Sequence, residues 1–175
     1  MIITRHSEGT IKVQTGGVAV VIDPADNRLK PDITLATKTK WPLGPGGDTS
    51  EIIGPGEYDL RGVKISGFLA AKSAAVIETI FELVAEEVRV LFLGQPTSAL
   101  DLSVQERLGE IDIVFAPPGT ASFVKQLEAK IIVPTHIKTA GQIDKNFGAK
   151  IESVDKLVIR KKDLPPQPKI IFINA

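Results

Sequence analysis

Side chains that could bind a metal ion are scarce in this sequence. The chain contains no cysteine and only two histidines, His6 and His136. A zinc site needs several imidazole, thiolate or carboxylate donors that converge at about 2.0–2.3 Å from the ion. Because two imidazoles are too few, carboxylates would have to complete such a site. The candidates are five aspartates: Asp23, Asp26, Asp32, Asp48 and Asp59.

Motifs for other kinds of catalysis are also missing. Ser7 and Ser73 lie outside any Gly-x-Ser-x-Gly sequence, which gives a serine hydrolase little support. Residues 44–47, Gly-Pro-Gly-Gly, match neither a Walker A loop nor the Gly-x-Gly-x-x-Gly pattern of a dinucleotide site. We therefore assign no catalytic residue, and the sequence favours a protein that is not an enzyme.

Composition narrows the range of partners. Lys plus Arg equals Asp plus Glu at 21 each, which suggests neither nucleic acid nor an anionic membrane as a partner. The basic run at residues 160–162 is followed by Asp163 and lacks the aromatic neighbours of a nucleic-acid groove. Apolar stretches such as residues 88–94 are too short to cross a bilayer, and the first residues lack a signal-peptide pattern. We expect a cytoplasmic protein that forms a single domain over residues 1–175.

Strands are predicted through the first part of the chain. Period-two alternation in residues 10–14, the Gly16-Gly17 turn signal and the apolar residues 18–22 predict a β-hairpin. Residues 33–36 predict another short strand. The segment from Lys38 to Asp48 is rich in Gly and Pro and is predicted to be an irregular loop.

Later elements mix strands and helices. Residues 75–84 also fit a helical spacing, but the β-branched Val76-Ile77 and Thr79-Ile80 favour a strand. Ser103 and Glu106 predict the capping box of a short helix over residues 104–108. The remaining predicted strands are residues 51–53, 57–60, 63–69, 88–93, 111–115, 131–133, 156–160 and 170–174, and the remaining helices are residues 121–127 and 142–147. This order favours two sheets with helices on the outside.

Three groups of segments resemble one known family. The first is Ile2-Ile-Thr-Arg-His-Ser7 with Ile11-Lys-Val-Gln-Thr-Gly-Gly17 and Val20-Val-Ile-Asp-Pro24. The second is Gly54-Pro-Gly-Glu-Tyr58 with Arg61-Gly-Val-Lys-Ile65. The third is Gly109-Glu-Ile-Asp-Ile-Val-Phe115 with Lys130-Ile-Ile-Val-Pro-Thr-His136. Their order and spacing resemble the metallo-β-lactamase superfamily, especially its short Zn-dependent hydrolase-like members. The resemblance implies an α/β (α+β) fold, an αββα sandwich of two mixed sheets with helices outside.

The sequence departs from this family at the metal ligands. In the family, a His-x-His-x-Asp-His loop follows the strand that matches residues 33–36, whereas this chain reads Thr37-Lys-Thr-Lys-Trp-Pro-Leu43. Lys38 and Lys40 stand at the first two histidine positions, and a slip of one or two residues produces no histidine. Lys72 stands at the next ligand position, and Gly94-Gln95-Pro96 replaces a Gly-Asp-Thr turn. Only His136 matches a family ligand.

These replacements argue against a metal cofactor. A lysine beside a divalent cation would have to lose its proton, against its ordinary pKa of about 10.4. We therefore expect neither zinc nor another divalent metal to be a cofactor. If the lysines converge, their charges occupy the place of the cation, and the pocket would bind an anion such as phosphate or carboxylate. The alternative is that they are solvated charges at the rim of an empty pocket. The residues of this candidate pocket are His6, Lys38, Lys40, Lys72, Gln95 and His136.

Three functions remain open on the sequence. The favoured one is a non-catalytic protein of metallo-β-lactamase fold that holds no metal and acts by binding an anionic ligand or by assembly. A metal-dependent hydrolase that uses carboxylates is the first alternative. A structural subunit of a homo-oligomer is the second, since a small sandwich leaves apolar surface that a second copy could cover. Trp41, in the loop beside the candidate pocket, is a candidate for stacking on a ligand.

Overall fold

The fold is built mainly from β-strands. A computed structural model describes residues 1–7, 9–42, 50–97, 102–143, 147 and 150–175. Within these residues, six strands form a first sheet in the spatial order β14 (Leu157–Val158), β1 (Ile2–Arg5), β2 (Ile11–Thr15), β3 (Val18–Ile22), β4 (Ile33–Leu35) and β6 (Glu51–Ile52). The pairs from β14 to β3 are antiparallel, and β3, β4 and β6 run parallel, so this sheet is mixed.

The second sheet is also mixed and is the larger of the two. Its spatial order is β13 (Ile151–Val154), β15 (Lys169–Ile173), β12 (Ile131–Pro134), β11 (Ile113–Ala116), β10 (Val88–Phe92), β9 (Val76–Ala85), β8 (Val63–Lys72) and β7 (Gly56–Leu60). A further strand, β5 (Lys38–Lys40), pairs with β9. The strands from β13 to β10 run parallel, and the pairs from β10 to β7 are antiparallel.

The core lies between the two sheets. Strand residues alternate between the two faces of a sheet, so Ile3, Val13 and Val20 of the first sheet point inward and are fully buried. They belong to the same apolar cluster as Phe81 and Phe115 of the second sheet. This burial is the main favourable term for folding, at about 25 cal/mol per Å² of apolar surface.

Both α-helices of the described residues cover the outer face of the second sheet. They are α1 (Leu102–Arg107) and α2 (Ala121–Gln126), and Val104 and Phe123 pack in one cluster with Leu91 and Val114. The sandwich of two mixed sheets with helices outside is confirmed. No helix in the described part of the chain is long and apolar enough to cross a membrane.

The structure corrects the prediction for the start of the Lys38 loop. Residues Lys38–Lys40 form a strand, and the prediction of an irregular loop there is wrong. The reason is that β10 pairs only with residues 81–85 of β9, which leaves the edge of β9 at Val76–Glu78 unpaired. Strand β5 occupies this edge. The rest of the predicted loop, residues 43–49, lies outside the described residues.

Three smaller differences concern individual helices and strands. Helix α1 begins at Leu102, so Ser103 lies in its first turn and is not the predicted cap. A 3₁₀ turn at Ala140–Gln142 stands at the start of the predicted helix over residues 142–147, most of which lies outside the described residues. Strand β13 was not predicted, because three of its four residues are exposed and they lack an apolar alternation. The strand prediction for residues 75–84 is confirmed by β9.

Candidate functional site

Four strand ends meet at one edge of the sandwich. Asp23 follows β3, Thr37 follows β4, Gly94 follows β10, and His136 follows β12. The Asp23 carboxylate accepts two hydrogen bonds from Thr37, and Gly94 packs against Thr37. The charge of His136 acts to lower the pKa of Asp23. Ends of neighbouring strands are where sites in layered α/β folds gather. We call Asp23, Thr37, Gly94 and His136 the edge cluster.

The Asp23 carboxylate joins two strand ends of the first sheet. One oxygen accepts the Thr37 backbone N–H at 2.7 Å, and the other accepts the Thr37 hydroxyl at 2.6 Å. The Asp23 carbonyl accepts the hydroxyl of Thr10 at 2.7 Å. Asp23 has φ +47°, a left-handed conformation that aspartate tolerates better than most residues. The carboxylate therefore serves as a cross-link between the loops after β3 and β4.

Gly94 lies where only glycine fits. A Cβ at this position would lie 2.5 Å from Thr37 Oγ1 and 2.6 Å from Thr37 Cβ, and the residue has φ +63°. The backbone after β10 thus passes directly over the Thr37 side chain. This close approach fixes the Thr37 hydroxyl on Asp23.

His136 is the fourth member of the edge cluster. It has φ +56°, its Nδ1 is 3.1 Å from the hydroxyl of Thr135, and its Nε2 would be 2.7 Å from a Cβ at Gly9. Left-handed backbone at a residue other than glycine costs free energy and concentrates at functional sites. The predicted site residue His136 therefore lies in the edge cluster, beside Asp23.

Burial governs the ionisation of Asp23. Burial raises the pKa of its carboxyl, and the two hydrogen bonds from Thr37 and the charge of His136 offset this only in part. The net pKa lies above the ordinary value of 3.8. A carboxyl with a raised pKa binds protons more readily in the folded chain, so its charge opposes folding once the pH rises through that pKa.

The predicted site residue Lys38 pairs with a buried carboxylate that sequence reasoning missed. Lys38 lies directly opposite Glu78 across the β5–β9 pair, and its Nζ is 3.3 Å from Glu78 Oε1. The Lys38 side chain is 54% exposed, whereas that of Glu78 is 8% exposed. Burying a charge costs free energy unless an opposite charge or hydrogen bonds compensate it. A glutamate within an apolar strand therefore indicates a nearby hydrogen-bond donor or cation.

Glu78 also holds the loop that follows β10. Its Oε2 accepts the Thr97 backbone N–H at 2.9 Å and the Thr97 hydroxyl at 3.1 Å. Glu78 thus joins β5, β9 and the loop that contains Gln95. Like Asp23, it is a carboxylate that ties strand ends together through hydrogen bonds.

The other predicted site residues lie in different surroundings. Lys72 lies opposite Ile77, on the other face of β9 from Lys38 and Glu78, and its Nζ is 3.5 Å from the centre of the Trp41 ring. Within the described residues, the side chains of Lys40 and Gln95 have no hydrogen-bond or ion-pair partner.

His6 lines a cavity of about 300 Å³ with Ser7, Thr10 and Arg28, among others. Its Nε2 is 3.1 Å from the hydroxyl of Thr4. A second cavity, of about 260 Å³, is bordered by Lys72, Glu78 and Thr97. His6 and Lys72 therefore line different cavities, whereas Lys38 and Lys72 both lie beside β9.

The donor set of the described residues does not fit a divalent metal ion. In the described part of the chain, no three His, Cys, Asp or Glu side chains come together in a group that could hold one. Both carboxylate oxygens of Asp23 are engaged by Thr37, and Lys38 and Lys40 stand where the resemblance places histidines. Asp48, a candidate ligand from the sequence, lies outside the described residues.

The network around Glu78 predicts a dependence of stability on pH. Burial raises the pKa of Glu78, but the hydrogen bonds from Thr97 and Lys38 and the charge of Lys38 outweigh it and hold the pKa below 4.5. A lowered folded-state pKa contributes stability that is present above the unfolded-state value and is lost as the pH falls through the folded-state pKa. We expect the free energy of unfolding of Glu78→Gln to lie below that of the unsubstituted chain at pH about 7, and the difference to shrink below pH about 4.5.

Urea unfolding of both proteins across this pH range measures the effect. A difference that is the same at every pH would contradict the role of the Glu78 charge.

Comparison with known proteins places the fold. No family model matches the chain. A member of the metallo-β-lactamase superfamily from Thermotoga maritima is similar in structure with TM-score 0.77 and 23% identity, and the match covers 99% of this chain and 98% of that one. The metallo-β-lactamase fold protein YhfI from Bacillus subtilis is similar with TM-score 0.64 and 8% identity, over 99% of this chain and 97% of that one.

One curated relative matches in sequence. Endonuclease MutS2 from Exiguobacterium sibiricum is 32% identical over 107 residues, which is 61% of this chain and 13% of that protein. The chain thus aligns with about an eighth of the length of that relative. The structural likeness, over nearly the whole of both chains, is the finding that places the fold. This chain has the metallo-β-lactamase fold.

Proposed function

We propose that this chain is a non-catalytic protein of metallo-β-lactamase fold that works without a bound metal, by binding a small anionic ligand. The observation that carries the proposal is the pairing of Lys38 with Glu78. Lys38 stands at a metal-ligand position of the family that the sequence resembles. In this structure it belongs to strand β5, and its ammonium group faces the Glu78 carboxylate. Neither nucleic acid nor a membrane is a partner in this proposal.

The charges of the lysines near Glu78 support a function without a bound metal ion. A divalent cation placed beside Lys38 and Lys40 would face two positive charges, and it would compete with Lys38 for Glu78. Asp23, the carboxylate of the edge cluster, already accepts two hydrogen bonds from Thr37. Recruiting Asp23 to a metal would leave the buried Thr37 N–H and hydroxyl without acceptors.

Metal analysis tests this proposal. We expect the chain, purified without chelator, to contain well under one equivalent of zinc, manganese or iron, and its melting temperature to be unchanged by EDTA or by added Zn²⁺. Stoichiometric metal, together with a melting temperature that falls on chelation, would overturn the proposal in favour of the hydrolase alternative. The control is a zinc enzyme of the same fold purified in parallel, which must retain its metal through the procedure.

A structural subunit of a homo-oligomer is the second candidate, because one apolar pair is exposed. Ile2 and Val158 lie directly opposite each other on β1 and β14 and are 38% and 57% exposed. A second copy that covered this pair would bury its apolar surface. Light scattering at several protein concentrations tests this candidate, and a monomer at all of them would exclude it.

A further inference from the structure

Two segments that are far apart in the sequence meet at Glu78. The first is β5 with the residue that follows it, residues 38–41, and the second is residues 94–97, which follow β10. Lys38 Nζ lies 3.3 Å from Glu78 Oε1, and the Thr97 N–H and hydroxyl donate to Glu78 Oε2 at 2.9 and 3.1 Å. We call these two segments the arms. One carboxylate, 8% exposed, therefore binds both arms to β9.

A second contact joins the arms where they begin. Gly94 is the first residue of the second arm, and Thr37 immediately precedes the first arm. A Cβ added at Gly94 would lie 2.5 Å from Thr37 Oγ1, so the backbone of the second arm packs directly against Thr37. Thr37 is itself held by two hydrogen bonds to Asp23. Movement of either arm away from the sheet therefore disturbs the other at two places, Glu78 and Thr37.

Neither arm has a fully buried side chain. Every residue of 38–41 and of 94–97 is half-buried or exposed. The remaining contacts of the first arm include the pairing of β5 with β9 and a hydrogen bond from the Thr39 hydroxyl to the Ile53 carbonyl at 3.0 Å. Segments with few buried apolar contacts open at a lower free energy than the core does. The arms are therefore the part of this region that we expect to open first.

Buried polar groups lie beside the closed arms. The Thr79 backbone N–H donates to the Thr37 carbonyl at 2.8 Å, and the two threonines are 1% and 5% exposed. The Thr79 hydroxyl has no hydrogen-bond partner in the part of the chain that the structure describes. A buried hydroxyl without a partner costs free energy, which contact with water recovers. This cost opposes the closed state and favours opening next to Thr79.

We propose that the two arms open together, as one strap, and that this opening gives solvent and ligands access to Asp23, Thr37 and Thr79. Glu78 couples the arms, because it is the one described side chain that contacts both through an ion pair and hydrogen bonds. Opening breaks these contacts and the β5–β9 pairing, while β9 stays in the sheet. The inference goes beyond the proposed function, since it concerns access to the edge cluster and holds for any ligand.

Native-state hydrogen exchange of the full chain tests the coupling. The Trp41 amide, which donates to the Ala75 carbonyl at 2.8 Å, reports on the first arm, and the Thr97 amide reports on the second. Thr97→Val removes the hydroxyl that donates to Glu78 and changes no atom of the first arm. If the arms open together, we expect this variant to speed exchange of the Trp41 amide about fivefold.

The reciprocal variant acts from the other arm. Lys38→Gln removes the ammonium group that pairs with Glu78 and changes no atom of residues 94–97. Because the Lys38 side chain is 54% exposed, the lost ion pair is a weak one, and we expect exchange of the Thr97 amide to become about twofold to fivefold faster. The Trp41 amide should become faster by the same factor.

Two controls separate opening of the strap from overall stability. Thr15→Val removes a hydroxyl that donates to Glu86 at 2.7 Å, and Glu82→Gln alters a buried carboxylate of β9 that pairs with Arg89 at 3.0 Å. Neither residue belongs to an arm, so we expect both reporter amides to exchange as in the unsubstituted chain. Core amides that exchange only through global unfolding become faster in these controls. A preserved amide spectrum shows that each variant has folded.

Independent responses would overturn the proposal. If Thr97→Val leaves exchange of the Trp41 amide unchanged, or Lys38→Gln leaves that of the Thr97 amide unchanged, the arms open separately and there is no strap. If the two controls speed the reporter amides as much as the arm variants do, the arms open only with the whole fold. These outcomes do not depend on metal content, so they leave the test of the metal-free function separate.

Discussion

Replacing Gly94 with alanine is expected to lower the free energy of unfolding by about 3 kcal/mol. The added Cβ would lie 2.5 Å from Thr37 Oγ1, and the left-handed φ of +63° adds backbone strain. The Thr37 hydroxyl has little freedom to withdraw, because it donates to Asp23 at 2.6 Å. The overlap must therefore be relieved by moving the loop after β10 or by breaking the edge cluster. Urea unfolding followed by circular dichroism measures the loss.

Gly62→Ala is the matched control. Gly62 lies in the turn between β7 and β8 with φ +80°, and a Cβ there would meet no atom within 4 Å. Alanine at this position introduces the left-handed strain alone, and we expect a loss of about 1 kcal/mol. Equal losses in the two variants would show that the approach of Gly94 to Thr37 has no energetic consequence.

Asp23→Ala is expected to lower the free energy of unfolding by a similar amount, about 3 kcal/mol. Thr37 is 5% exposed, so removing the carboxylate leaves a buried N–H and a buried hydroxyl without their acceptor. Each unsatisfied group costs about 1–3 kcal/mol, and alanine also tolerates φ +47° less well than aspartate does. The same unfolding measurement applies.

Asp23→Asn separates these contributions. The asparagine carbonyl can accept the Thr37 N–H, its NH₂ group can donate to the Thr37 oxygen, and asparagine tolerates left-handed backbone. We therefore expect Asp23→Asn to lower the free energy of unfolding by less than half as much as Asp23→Ala does. If Asp23→Ala lies within about 0.5 kcal/mol of the unsubstituted chain, the role of Asp23 as a cross-link is wrong.

Alternation and turn chemistry made much of the fold predictable. The pattern of residues 10–22 gives the β2–β3 hairpin, whose turn glycines both adopt positive φ. Strand β5 was not predictable, because it forms only where the edge of β9 is left unpaired by β10. This pairing joins segments that are far apart in the sequence. No local pattern in Thr37-Lys-Thr-Lys-Trp41 therefore predicts it.

The candidate site was predictable only in part. The resemblance singled out the positions of Lys38 and His136, and the structure places His136 in the edge cluster. Asp23 was considered only as a distant metal ligand, and Glu78 was not considered at all. Both act through partners remote in sequence, Thr37 for Asp23 and Lys38 and Thr97 for Glu78.

The sequence by itself determined the β-rich order of strands and the shortage of histidine and cysteine side chains, and its resemblance to the metallo-β-lactamase superfamily singled out the lysines at positions 38, 40 and 72. The strand order and the shortage of donors follow from local alternation and from residue types, which need no knowledge of distant contacts. Only the tertiary structure decided where each lysine lies: Lys38 against Glu78 on one face of β9, and Lys72 against Trp41 on the other. The physical reason is that a side chain's charge partner depends on strand register, and register is set by pairing between segments far apart in the chain.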